Sequence, residues 1–252
     1  MIKKRLIARI DVKNEYAIKG IHLEGLRKVG DPNILAMQYY KEGIDEIVFM
    51  DAVAAYYDRN SLSQIIKKAT NDIFAPITVG GGIRSIEDIQ KALNSGADKV
   101  AINTKAIQSP KFLEEASRIF GSQAIVASID AKKIGPNKWV AYTDNGREPT
   151  QIDVLEWIKE VESLGAGEIM LTSIDQEGTK SGFDIKLNEF SARQTSIPLI
   201  VCGGAGNKKD CVEGIKTKNV DAIAVASILH YQIETVKEIK ESIFEAGVNI
   251  RV

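Results

Sequence analysis

Short β-branched apolar runs alternate with longer amphipathic stretches along the whole chain. The runs at 5–11, 46–51, 76–79, 98–102, 123–129, 168–172, 198–202 and 221–225 are mostly continuous, not alternating. That pattern predicts parallel strands buried on both faces. Between them, the stretches near 32–42, 61–72, 86–94, 110–119, 152–163, 185–194, 208–218 and 234–246 predict helices. Some carry start signals. Ser85 precedes Ile86-Glu87-Asp88, an N-cap with acids in the first turn. Ser109-Pro110 predicts an N-cap with proline at the first helical position. Eight strand–helix pairs in strict alternation predict an α/β fold, a (βα)8 TIM barrel. A doubly wound open sheet is the alternative, and an internal repeat argues against it.

The run RLIARIDVK (5–13) and the run AIVASIDAKK (124–133) carry Asp11 and Asp130, 119 positions apart. DEIVFMD from 45 and GEIMLTSID from 167, VGGGI from 79 and CGGAG from 202, and DKVAIN from 98 and DAIAVA from 221 recur at offsets of 122 to 123. Self-similarity at one offset predicts two copies of a four-strand unit. The expectation is one barrel domain over 1–252, made of half-barrels at approximately 1–121 and 122–252. Two long connections, 12–31 and 130–151, follow the first strand of each half. Loops in that position are where barrel active sites are built.

The repeat also aligns candidate chemistry. Val79-Gly80-Gly81-Gly82 ends the third strand and Cys202-Gly203-Gly204-Ala205-Gly206 the seventh. Glycine lets backbone amides approach an anion closely. Asn103-Thr104 and Ala226-Ser227 follow the fourth and eighth strands at matching places. Two phosphate cradles across one barrel mouth imply a long substrate with a phosphate at each end. Between them, Asp11 and Asp130 form a candidate acid–base pair, provided their surroundings push their proton affinities apart. At the opposite end, Arg5, Glu46, Lys99 and Glu168 stand near strand starts with alternating sign. The plainer reading is a salt-bridge ring plugging the floor; the other is a gate over an axial channel.

Composition narrows the classes. An apolar share of 44% supports a full core, and a net charge of −1 gives no reason to expect nucleic acid or an anionic membrane as partner. Neither a spanning stretch nor a signal-peptide layout is present, so the chain reads as cytoplasmic. Cys202 and Cys211 are too few for a disulfide framework and lack metal-site spacing, and both read as buried hydrophobes. His22 and His230 have no second ligand at metal spacing and read as packing or surface residues. Trp139 and Trp157 read as hairpin and helix packing. No metal and no cofactor are expected.

As a set, IDVKN (10–14), Ile18-Lys19-Gly20, TVGGGIRS (78–85), GADKVAIN (96–103), FGSQ (120–123), GAGEIMLTSID (165–175), GTKSG (178–182), GGAG (203–206) and Ala246-Gly247-Val248-Asn249 are highly specific. Over essentially its full length the chain resembles the HisF family, the cyclase subunits of imidazole glycerol phosphate synthase. The resemblance implies that ammonia from a HisH-type glutaminase, the other half of a heterodimer, enters at the barrel floor. It travels up the interior to a bisphosphorylated ribulosyl-aminoimidazole. The products are imidazole glycerol phosphate and an aminoimidazole carboxamide ribotide, a step of histidine biosynthesis. It further implies acid–base roles for Asp11 and Asp130 and a loop-closing role for Lys19. Gly81, Gly82, Asn103 and Thr104 match one phosphate site, and Gly178, Gly203, Gly204, Ala226 and Ser227 the other. Arg5, Glu46, Lys99 and Glu168 match an ammonia gate, and Asp98 a contact to the glutaminase.

Four departures cluster near the mouth. With period two, Arg9 shares a face with Asp11 and must point into the barrel, where the family usually has a small cysteine. A buried guanidinium needs a partner. Asp11 is the nearest acid, and pairing would lower its proton affinity and make it a poorer base. Ala52-Val53-Ala54-Ala55-Tyr56-Tyr57 stands where hydroxyl side chains are common. Glu177 replaces the usual Asp, and Cys202 the usual Ser. These changes fit an alternative, a HisF-like paralogue that channels ammonia from a glutaminase to a sugar amidotransferase of surface-polysaccharide synthesis.

Overall fold

The computed structural model describes residues 3–54 and 62–251. In chain order the strands are β1 (Arg5–Lys13), β2 (Tyr16–Ile21), β3 (Glu24–Gly30), β4 (Glu46–Asp51), β5 (Ile77–Gly80), β6 (Lys99–Ile102), β7 (Ile125–Gly135), β8 (Lys138–Thr143), β9 (Glu148–Asp153), β10 (Glu168–Ser173), β11 (Leu199–Cys202) and β12 (Ala222–Val225). Eight of them run parallel in the order β10, β11, β12, β1, β4, β5, β6, β7, and β7 pairs back to β10. The sheet is therefore closed, with helices between its strands, and the (βα)8 barrel expectation holds.

Side-chain alternation sorts each strand into two cores. Leu6, Ala8 and Ile10 of β1 point outward into the large cluster shared with the helices. Ile7 points inward to meet Val48, Val126, Met170, Ile200 and Ala222. Each fully buried Leu or Ile is worth about 1.5–3 kcal/mol relative to exposure, so both faces of the wall contribute. Trp139 and Trp157 are buried as packing residues, and the Trp139 indole N–H donates to Asp184 Oδ2 at 3.1 Å.

Three aspartates lie one residue before a strand and clasp its neighbour. Asp45, Asp98 and Asp221 accept the backbone N–H groups of Leu6, Ile77 and Leu199 on side-chain oxygens at 2.8, 2.8 and 3.0 Å. Their own N–H groups donate to the carbonyls of the same three residues. At the matching place before β10 stands Gly167, where an added Cβ would collide with the Ser122 carbonyl.

The helices fall where the pattern predicts. Ser85 forms a full capping box with Asp88. Ser109 does not cap: the next helix, Lys111–Phe120, has Pro110 at its N-cap without a side-chain hydrogen bond. The two long connections are not plain loops. Strands β2–β3 and β8–β9 form antiparallel hairpins continuing from β1 and β7, which overrun the barrel rim. Short helices at Thr104–Gln108 and Ser227–His230 also escape the periodic pattern, because four or five residues hold barely one turn. Ala55, Tyr56 and Tyr57 lie outside the described residues.

Candidate active site

Asp130 belongs to the part of β7 that reaches the mouth. Its Oδ2 accepts a hydrogen bond from Asn103 Nδ2 at 2.9 Å, and the same amide donates to the Tyr142 carbonyl at 3.0 Å. Beside it opens a cavity of about 160 Å³ lined by Gly81, Gly82, Asn103, Thr104, Ser128 and Asp130, with Arg84 and Lys105 as cations and Asp51 and Asp144 as acids. Gly81 is at φ +89, and a Cβ there would strike the Asp51 carbonyl. Only glycine suits both the turn and the close approach. Burial pushes the Asp130 proton affinity up to about 6, with repulsion from Asp11 adding to it; Arg9 and the Asn103 amide pull the other way. Asp130 can thus carry a proton near neutral pH.

Asp11, at the matching end of β1, is bound differently. Arg9 Nε donates to its Oδ1 at 2.8 Å, and Lys19 Nζ, from β2, meets its Oδ2 at 3.2 Å. Lys19 also pairs closely with Glu177. Arg9 Nη1 donates to Thr172 Oγ1 at 2.9 Å, and all four charged residues are buried. Burial opposes ionisation of Asp11, but Arg9 and then Lys19 outweigh it and hold the carboxyl well below the usual range. For Lys19, burial is likewise overcome by Glu177 and Asp11, and its proton affinity rises.

On this side Arg9, Glu177, Gly178, Gly203, Gly204, Ala226 and Ser227 enclose only about 10 Å³. That is room for roughly one water. Gly204, at φ +106, would drive a Cβ into the Gly182 carbonyl, mirroring Gly81. Outside this cleft, between the β2–β3 hairpin and Lys180 and Tyr231, lies a vestibule of about 510 Å³ that also reaches Lys19, Arg27, Gly178 and Ser227.

At the floor, Arg5 donates to Glu46 and Glu168 at 2.6 Å each, and Lys99 meets the same two acids at 3.1 and 2.8 Å. The ring is closed: each cation touches both acids. Asp98 is exposed nearby, one of its oxygens occupied by the Ile77 amide. His230 is buried, with Nδ1 2.8 Å from the Tyr39 hydroxyl; burial, and then Lys19, bring its proton affinity down to about 4.

Every residue singled out in the sequence for chemistry therefore lies at the mouth or the floor. Sequence reasoning anticipated the Arg9–Asp11 pair. It missed the Lys19–Glu177 pair, which joins residues 158 positions apart with no spacing rule to reveal it. It also missed Asn103 as the partner of Asp130, and Arg84 and Lys105 on the cavity wall.

The profile of the family described as "Histidine biosynthesis protein" matches residues 5–235. A protein of Bacillus cereus (strain G9842) named imidazole glycerol phosphate synthase subunit HisF is 44% identical over 252 residues, covering all of both chains. One of the same name from Hydrogenobaculum sp. (strain Y04AAS1) gives the same identity and coverage. Another, from Legionella pneumophila, is 52% identical over 210 residues, 83% of this chain and 99% of its own. With a closed barrel, paired glycine turns at its mouth and full-length relatives of one name, the chain belongs to the HisF family of histidine biosynthesis proteins.

Proposed function

We propose that the chain is the cyclase subunit of imidazole glycerol phosphate synthase. It uses ammonia from a HisH-type glutaminase to convert the bisphosphorylated ribulosyl-aminoimidazole carboxamide into imidazole glycerol phosphate and the aminoimidazole carboxamide ribotide. The observation that carries this reading is the Asp130 cavity, where a carboxyl whose burial raises its proton affinity to about 6 adjoins a wall of glycines with Arg84 and Lys105 beside them. One phosphate end of the substrate lies along Gly81, Gly82, Asn103 and Thr104. The other lies along Gly178, Gly203, Gly204, Ala226 and Ser227 once that cleft widens. Two half-barrels, approximately 1–121 and 122–252, would account for the matched ends. Arg5, Glu46, Lys99 and Glu168 act as the ammonia gate, Asp98 contacts the glutaminase, and Lys19 closes the first hairpin over the site. The work is cytoplasmic.

The test supplies the bisphosphate and an ammonium salt to the purified chain, without a glutaminase. Appearance of both products supports the proposal; no product across pH 6 to 9 refutes it. One observation favours the second reading, ammonia delivery to another enzyme: Asp11 is held by Arg9 and Lys19. Under that reading the chain gives no product alone yet still binds its glutaminase.

A further inference from the structure

We propose that Arg9 removes Asp11 from proton transfer and leaves Asp130 as the single proton-carrying carboxylate of the mouth. The inference rests on the cyclase reading and assigns the roles within it. Arg9 is a positioning residue, acting through Asp11 and not on the substrate.

The geometry differs oxygen by oxygen. Both Asp11 oxygens face cations, Arg9 Nε on Oδ1 and Lys19 Nζ on Oδ2. Asp11 lines neither the 160 Å³ cavity nor the 10 Å³ cleft. Its clamp is itself clamped, since Thr172 fixes Arg9 and Glu177 fixes Lys19. A proton on Asp11 would have to break a buried ion pair and leave a cation without its partner. Asp130 forms no ion pair among the described residues; Asn103 engages its Oδ2, and the residue lines the larger cavity.

The charged groups around the two carboxyls agree with this division. Asp130 faces Arg9, Asp11 and Glu177 across the mouth, and Asp51, Arg84, Lys105 and Asp144 on its own wall. Asp11 faces Arg9 on its own strand, Lys19 on the hairpin, Asp130 across the mouth and the buried His230 beyond β12, while Glu177 faces Arg9 and Lys19. In the reaction, an N–H bond of the added nitrogen breaks as Asp130 gains an O–H. That proton then passes to the former carbonyl oxygen, whose C–O bond breaks to release water as the C=N bond forms, and the carboxylate is regenerated. Asp11 stays an anion throughout, its charge held by Arg9 and Lys19.

The test reads the carboxyl groups directly. The full chain is labelled with carboxyl-¹³C aspartate and titrated from pH 8 to pH 4, with Asp11→Asn and Asp130→Asn used to assign the two resonances. The expected result is an Asp130 signal titrating with a midpoint near 6 and a flat Asp11 signal. In Arg9→Gln the Asp11 signal begins to titrate within the window. An Asp11 signal that moves in the parent chain overturns the proposal, and so does one that stays flat in a folded Arg9→Gln. If Arg9→Gln does not fold, the parent titration decides alone. In turnover with ammonium, with rates referred to the concentration of free ammonia at each pH, kcat/KM falls along one limb below pH 6, about tenfold per unit. The limb survives in Asp11→Asn and disappears in Asp130→Asn; the reverse overturns the proposal. Absence of any turnover refutes the cyclase reading, while the titration still decides the ionisation of Asp11.

Discussion

The two sides of the barrel mouth have matching glycine turns and matching aspartates, yet one is open and the other filled. The difference lies two residues before each aspartate. On β7 that place holds Ser128, a wall residue of the 160 Å³ cavity. On β1 it holds Arg9, which takes the space, ties down Asp11 and narrows the opposite cleft to about 10 Å³. Backbone geometry set by glycine is thus shared, while the proton chemistry is set by a single inward side chain on each side. Equal frames do not make equal sites.

The largest test of this contrast is catalytic. Asp130→Asn should lower kcat/KM by about 1,000-fold in ammonium-dependent turnover, within the usual span for a general acid–base group. A loss at Asp11→Asn with the same size and the same flattened pH profile would erase the distinction. Next comes the charge clamp. Glu177→Gln leaves Arg9 and Lys19 sharing Asp11 alone, and removing one partner from a buried pair costs about 3 kcal/mol. Chemical denaturation should register that loss, whereas Ser128→Ala on the other side should cost less than about 1 kcal/mol.

A smaller effect concerns stability and pH. The folded chain holds the Asp130 proton more tightly than the unfolded chain does, with a midpoint near 6 against 3.8. Its contribution to stability is therefore full below pH 3.8 and lost as pH rises through 6. Asp130→Asn should be more stable than the parent by about 3 kcal/mol at pH 8, with most of the gap closed by pH 4. Asp11→Asn should behave oppositely, because its folded affinity is depressed: it should be less stable at pH 8. Thermal melts at both pH values would show the two signs. Among the ion pairs the smallest effect is expected at the floor, where Lys99 and Arg5 keep partial contact with solvent. Lys99→Met should cost about 1 kcal/mol and lose much of its effect in high salt. A larger, salt-insensitive loss would make the floor ring resemble the buried clamp at the mouth.

The barrel was legible because parallel strands write themselves as apolar runs, and because the chain repeats them. Asp11 and Asp130 were legible as strand ends, and the Arg9–Asp11 contact as a consequence of period two. The first hairpin was not, since KNEYAIKGIHLEGLRKVGD has no sustained alternation on which to place strands; in the second, only Trp139 reads as part of a hairpin. Nor was the Lys19–Glu177 pair, which exists only because the barrel brings a hairpin from its first strand against the loop after β10. Local patterns report local geometry; long-range pairs of charges follow from closure, which no single segment encodes.

The clasps at Asp45, Asp98 and Asp221 carry a consequence for anyone rebuilding this barrel. Each joins a pre-strand side chain to the first or second amide of the adjacent strand, fixing the axial stagger of two staves where their ladder begins. Chimeras cut between 77 and 98, or between 199 and 221, would separate a clasp from its catch. Fragment exchange should therefore keep each aspartate with the strand it holds, or transplant both together.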